Sequence, residues 1–286
     1  MAVLESGTVD VPGARLYVEV RGAGPLLLMV PGGASDAAVF EALAGQLAAR
    51  YRVVSYDPRG ISRSPLDGPA VDQLVEVQAR DALRLLDRYA APGEPVRVFG
   101  SCAGALVALE LLRQHPDRVD VVVAHEPPSM RLLPDADAQL AFFEDVHRTY
   151  LREGVTAAMR SLADAFGGRP APALPEVRDN NAFFLAHVMR PTTGFLPDLA
   201  ALTRLAGRIV PAGGVESSGY LIQRPVAALA AALGRDLVLF PGGHAGYAKH
   251  PVAFAHQVNA LLAELPATAE ADAEVDAETE AAPCDS

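Results

Sequence analysis

The run Val96-Arg97-Val98-Phe99-Gly100-Ser101-Cys102-Ala103-Gly104-Ala105 restricts the folds open to this chain more than any other segment. An apolar, valine-rich stretch passes into a helical pattern with no linker, so the backbone must reverse direction within a few residues of Cys102. A turn that sharp needs minimal side chains two positions before and two after its apex, and Gly100 and Gly104 bracket Cys102 in that way. The apex residue takes a strained backbone and lifts its side chain above the end of the strand. Ser101 is a poor alternative apex, because Phe99 would then occupy a place with no room for a ring.

A strand that runs directly into a helix belongs to an alternating architecture, and the rest of the chain supplies the alternation. Short apolar runs bounded by Gly or Pro lie at Leu16–Arg21, Pro25–Val30, Tyr51–Tyr56, Val96–Gly100, Val119–Ala124, Arg208–Ala212 and Asp236–Phe240. Several are apolar throughout, as expected of parallel strands covered on both faces. Helical patterns fall between them at Ala37–Arg50, Val71–Tyr89, Ala103–Gln114, Gln223–Leu233 and Val252–Leu262. The fold class is therefore α/β, a mostly parallel, doubly wound sheet. One interval breaks the rhythm: Pro127–Gly207 holds no convincing strand and reads as helices at Asp135–Glu153, Val155–Phe166, Asp179–Met189 and Leu196–Ala206. The expected organisation is a core over 1–127 and 208–265, a helical lid over 128–207 at the carboxyl edge of the strands, and an acidic disordered tail over 266–286.

Charge and cysteine usage remove several function classes. The net charge is −11, but seven acids and no base lie in the tail, so the rest of the chain carries only −4. No basic stripe is left to track phosphates, and nucleic-acid binding is not expected. No apolar stretch approaches the ~20 residues of a membrane span. The opening MAVLESGTVDVPG lacks the basic-then-apolar order of a secretory signal, so a cytoplasmic location is expected. Of the two cysteines, Cys284 lies in the tail and Cys102 at the turn, which implies neither a disulfide framework nor a metal site.

Gly100-Ser101-Cys102-Ala103-Gly104 resembles the GxSxG nucleophile elbow of the α/β-hydrolase fold family, with cysteine in place of serine. The order of motifs extends the resemblance over about Val9 to Leu262. Cysteine nucleophiles occur on this fold, dienelactone hydrolase being an example, and a cysteine is intrinsically reactive beside an imidazole. The resemblance implies an oxyanion hole formed by the backbone N–H of Ala103 and that of Gly33, in Pro31-Gly32-Gly33-Ala34 after the third strand, where Pro31 replaces the family's usual histidine. Asp57-Pro58-Arg59-Gly60-Ile61-Ser62-Arg63-Ser64 resembles the DxRGxGxS loop, whose charges are expected to be structural. The family's order of nucleophile, acid and histidine points to His244, after Asp236–Phe240, as the base; His250 is a weaker rival, and His125 either faces the pocket or is structural. Two loops offer the orienting acid. Glu216 follows the seventh strand, where the family usually keeps it, and Glu126 follows the strand after the nucleophile helix; Glu216 is favoured.

This constellation implies hydrolysis of an ester, lactone or thioester bond in a small, largely hydrophobic molecule, with acyl transfer or cyclisation a close variant. No Asp stands at the elbow, which argues against dehalogenase or the usual epoxide-hydrolase chemistry. A non-hydrolytic enzyme using His244 as general base and a silent ligand-binding member remain alternatives. Expected partners are a small-molecule substrate, with no cofactor, metal, nucleic acid or membrane; a homodimer is left open. Phe142, Phe143, Phe183, Phe184 and Phe195 are apolar candidates for the lid's inner surface, and Asn180 and Asn181 for polar contacts or a helix cap.

Overall fold

The computed structural model of the chain describes residues 4–167 and 180–264. The expected tail and its Cys284 lie outside them.

Eight strands form one sheet in the order β1-β2-β4-β3-β5-β6-β7-β8. The first two, β1 (Leu4–Val11) and β2 (Ala14–Arg21), make a hairpin closed over Pro12 and Gly13, and Gly13 takes the positive φ of 82° that such a tight turn requires. β1 is a strand the sequence reading lacks. β2 pairs antiparallel with β4 (Arg52–Tyr56). From there the sheet is parallel through β3 (Leu26–Val30), β5 (Val96–Ser101), β6 (Val119–His125), β7 (Ile209–Gly214) and β8 (Val238–Phe240).

Continuous apolar runs are what this position demands, because successive side chains of a parallel strand enter two different cores. Leu26, Leu28 and Val30 of β3 enter one of them, with the buried faces of α2 (Val75–Tyr89) and α3 (Ala103–Gln114). Leu27 and Met29 enter the other, with α1 (Glu41–Leu47). Every β3 residue is buried.

The interval between β6 and β7 is helical in its described residues: α4 (Ala136–Glu153), α5 (Val155–Leu162), α6 (Asn181–Phe183), a π turn at Phe184–Val188, α7 (Met189–Thr193) and α8 (Leu199–Thr203). This insertion has a small apolar core of its own, in which Phe143, Val146, Leu162, Leu185 and Met189 meet. Its free face meets the loops that follow β3, β4 and β8: Phe184 reaches Gly33, Phe183 lies against Gly60, and the Phe166 ring sits 4.9 Å from that of His244. These three contacts lie at loops that leave the carboxyl ends of strands. α9 (Arg224–Leu233), α10 (Gly246–Lys249) and α11 (Pro251–Glu264) complete the two layers, α9 sharing the core of α2 and α3, α11 packed beside α1.

Strand order reverses between β3 and β5, the chain having gone to β4 on one side before returning to β5 on the other. Open α/β sheets leave a crevice at such a point. The loop after β3 and the turn after β5 face each other across it.

Candidate active site

Cys102 occupies the apex of the turn between β5 and α3, with φ 54° and ψ −124°. A cysteine rarely enters this region unless its surroundings impose it. They do so here through close backbone approach. A Cβ on Gly100 would collide with the Gly104 carbonyl, and one on Gly104 with the carbonyls of Val30 and Pro31, so the start of α3 rests directly on the end of β3. The Cys102 N–H is tied down by the His125 carbonyl at 2.9 Å. The side chain, half-buried, stands at the sheet edge.

The strand beside it supplies the next group. Glu126 directly follows β6 with a positive φ of 49°, and its carboxylate reaches the loop of His244. That carboxylate has no exposed surface and is satisfied on both oxygens: Gly214 N–H donates to Oε1 at 2.8 Å, and His244 Nδ1 donates to Oε2 at 2.6 Å. With Nδ1 thus engaged, Nε2 is the imidazole nitrogen left to meet Cys102. His244 thus lies between Cys102, which acts on its charge, and Glu126, which holds its Nδ1, the three residues coming from the ends of β5, β8 and β6.

The charges in this group reinforce one another. Burial alone would push the His244 pKa down, yet Cys102 on one side and Glu126 on the other push it up to about 10. For Glu126, burial is overcome by the hydrogen bond from His244, the positive potential of both histidines and the Gly214 N–H, and its pKa falls to about 2. His125 is fully buried among the rings of Phe99, Phe240, Tyr247 and Phe254, and burial pulls it down to about 4. It is held neutral while His244 is held charged.

Stability should therefore depend on pH in both directions. His244 stabilises the fold fully below its ordinary value of 6.5 and loses that contribution as pH rises toward 10. His125 acts in the opposite sense, since folding favours its neutral form and stability falls as pH drops from 6.5 toward 4. Glu126 adds a further loss from 4.5 toward 2. Thermal unfolding should show a maximum near pH 6.5, and His244→Asn should flatten the decline between about pH 6.5 and 9. An unchanged alkaline decline in that variant would remove His244 as its cause.

Comparison with known proteins identifies the family of the fold. The family profile described as the alpha/beta hydrolase fold matches residues 25–167. The chain belongs to the α/β-hydrolase fold family. It is 34% identical over 265 residues to the uncharacterized hydrolase YraK of Bacillus subtilis (strain 168), covering 91% of this chain and 96% of that one. It is 28% identical over 265 residues to the zearalenone hydrolase of Bionectria ochroleuca, covering 88% and 95%. Among solved structures, a thermophilic esterase from Thermogutta terrifontis superposes with a TM-score of 0.69 at 18% identity, covering 93% of this chain and 99% of that one. The chain is an enzyme of the hydrolase type that this family comprises.

Within this α/β-hydrolase the acid is the point of correction. The sequence reading favours Glu216, but that residue lies exposed in a short turn after β7, where its N–H donates to the Gly242 carbonyl. Glu126 holds the place on His244 Nδ1 that the acid must fill. His250 is exposed and outside the network, its ring against Gly242. Gly32 packs so closely that a Cβ on it would stand 2.7 Å from both the Cys102 Cβ and the Ala103 nitrogen, which brings the loop of Gly33 against the start of α3 at Ala103. Asp57 and Arg59 tie the sheet edge together, as expected. Asp57 accepts from the Ala37 and Arg63 N–H groups and from the Arg63 guanidinium, and Arg59 makes a two-pronged pair with Asp81 at 2.6 Å.

Of the five candidate phenylalanines, only Phe184 faces the site, over Gly33. Phe142 and Phe143 pack with the insertion's own core, Phe183 on Gly60, and Phe195 against the main core. The ring that covers the histidine is Phe166, which the sequence reading placed at the end of a helix without assigning it to the site. A phenylalanine two helices from the nearest motif carries no local signal of such contact. Among the described residues no cluster of His, Cys, Asp and Glu could hold a metal ion, and no helix is long and apolar enough to cross a membrane.

Proposed function

We propose that this hydrolase cleaves an ester, lactone or thioester bond of a small, largely hydrophobic molecule through a covalent thioester on Cys102. The observation that carries the proposal is the placement of His244 between the strained Cys102, which raises its pKa, and a fully buried Glu126 that holds its Nδ1. The Cys102 sulfur attacks the carbonyl carbon, and the displaced electron pair rests on the carbonyl oxygen, held by the N–H groups of Ala103 and Gly33. As the tetrahedral intermediate collapses, the bond to the leaving group breaks and His244 delivers its proton to the departing atom. Water, deprotonated by His244, then attacks the thioester and releases the acid product and the Cys102 sulfur. Glu126 keeps the imidazole in the tautomer that both steps use and stabilises its charged form.

The helical insertion acts as a lid in this reading. Phe166 over the base and Phe184 over the oxyanion loop put one apolar ring beside each half of the site. An apolar acyl group fits between them better than a charged one, and water is limited to what hydrolysis needs. The relatives named hydrolases favour water as the final acceptor, and the neighbouring esterase favours an oxygen ester. Across p-nitrophenyl esters of straight-chain acids, kcat/KM should rise roughly tenfold from acetate to butyrate, in keeping with the value of added methylenes in an apolar pocket. A succinate half-ester of similar length should be a poor substrate. Equal turnover of charged and apolar acyl groups would contradict the apolar site. No turnover of any ester, lactone or thioester would contradict the acyl chemistry.

A further inference from the structure

Asn180 stands where it would cap α6, yet its side chain makes no bond to that helix. It is buried and reaches instead into two loops of the core. Its Oδ1 accepts from the Ser62 N–H at 3.0 Å, and its Nδ2 donates to Ser62 Oγ at 2.9 Å and to the Ala34 carbonyl at 3.0 Å. Both amide hydrogens are thus engaged outside the insertion. Ser62 has a positive φ of 47°, and its hydroxyl donates onward to Asp36 Oδ2 at 2.6 Å. Asp36, buried, in turn accepts from the Ala38 N–H at 3.0 Å, fixing the loop on the far side of Ala34.

Ala34 belongs to the turn Gly32–Ser35, closed by the Ser35 N–H to the Gly32 carbonyl at 3.1 Å. In a planar trans peptide the N–H opposes the carbonyl. With the Gly32 carbonyl held inside the turn, the Gly33 N–H faces out of it. Gly33 itself takes φ +63°, and four residues after Asn180 the Phe184 ring lies 3.7 Å from where a Gly33 Cβ would stand. The segment 180–184 therefore holds this turn at its carbonyl and at its glycine together.

We infer that Asn180 is a positioning residue for the oxyanion hole: its bond to the Ala34 carbonyl fixes the turn that presents the Gly33 N–H, so the hole is completed by the insertion and not by the core alone. The inference rests on the proposed roles of Cys102, Gly33 and Ala103. It is a claim about one step, since an oxyanion hole serves attack on a carbonyl and has nothing to hold when a sulfur displaces iodide from iodoacetamide. In that displacement the C–S bond forms, iodide leaves with the electron pair, and no oxyanion arises.

The test compares two rates at Cys102 in the full chain: acylation by p-nitrophenyl acetate and alkylation by iodoacetamide, each followed by intact mass. Asn180→Asp keeps the shape and the acceptor for Ser62 N–H but loses donation to Ala34; Asn180→Ala loses all three bonds. Both should lower the acylation rate roughly 10- to 100-fold, a large part of what removal of one oxyanion donor costs, while alkylation stays within about twofold. Acylation at the parent rate in both variants overturns the inference. So does an equal fall in acylation and alkylation, which would make Asn180 a support of the whole site. Should Asn180→Ala fail to fold, Asn180→Asp carries the comparison alone. A parent chain that is alkylated at Cys102 but never acylated overturns the covalent reading first, and this inference with it.

Discussion

Cys102→Ala is expected to lower kcat toward p-nitrophenyl butyrate by about 10⁴-fold or more, the scale seen when a nucleophile is removed from a triad that acts as a unit. The expectation follows from the geometry of the elbow. No other side chain stands at its apex, and Ser101 is fully buried on the strand side of the turn, out of reach of a substrate. The substitution should leave the fold intact, because alanine is smaller than cysteine and the site is only half-buried. Unfolding temperature therefore serves as the control. The companion variant His244→Ala should lose activity on the same scale, since the two groups act together. If Cys102→Ala kept most of the turnover while His244→Ala abolished it, His244 would be activating water directly as a general base, and the covalent intermediate would be ruled out.

Glu126→Gln is expected to lower kcat by about 10⁴-fold with little change in KM, because an amide at this place can donate to Nδ1 and select the wrong tautomer. The loss should exceed that of a remote charge change for a structural reason. Glu126 has no exposed surface, and the Gly214 N–H and the His244 ring fix its two oxygens, so no water can take over its role. Glu216→Gln is the matched control. Glu216 is exposed and the Nδ1 position is already filled, so kcat should stay within about twofold of the parent value, as for most surface substitutions. The reverse pattern, with Glu216→Gln inactive and Glu126→Gln active, would show that the histidine is oriented from β7.

The contrast between these two glutamates marks the limit of what the sequence carries. Gly100 and Gly104 are legible because a single turn dictates them: the reason for their size is local, and the collisions that a Cβ would cause confirm it. The apolar runs of β3 and β6 are legible because burial on both faces leaves no polar positions. The acid depends on which of two strand ends turns its carboxylate toward the loop of His244. Here that is decided by the positive φ of Glu126 and by the Gly214 N–H, and neither has a signature in the sequence. β1 escaped for the opposite reason. It is an edge strand whose residues are mostly exposed, so Leu4–Val11 shows no apolar run. The insertion's helices follow their patterns, but which face meets the site depends on tertiary packing, and so Phe166 and Asn180 emerge only from the fold.

The central claim is that a thioester forms on Cys102, and intact-protein mass spectrometry of the acid-quenched reaction with p-nitrophenyl butyrate tests it most directly. The parent chain should gain the mass of one butyryl group, and Cys102→Ala should gain none. Turnover of the ester without any adduct on the parent at early times or under excess substrate, or an adduct that persists in Cys102→Ala, would contradict it.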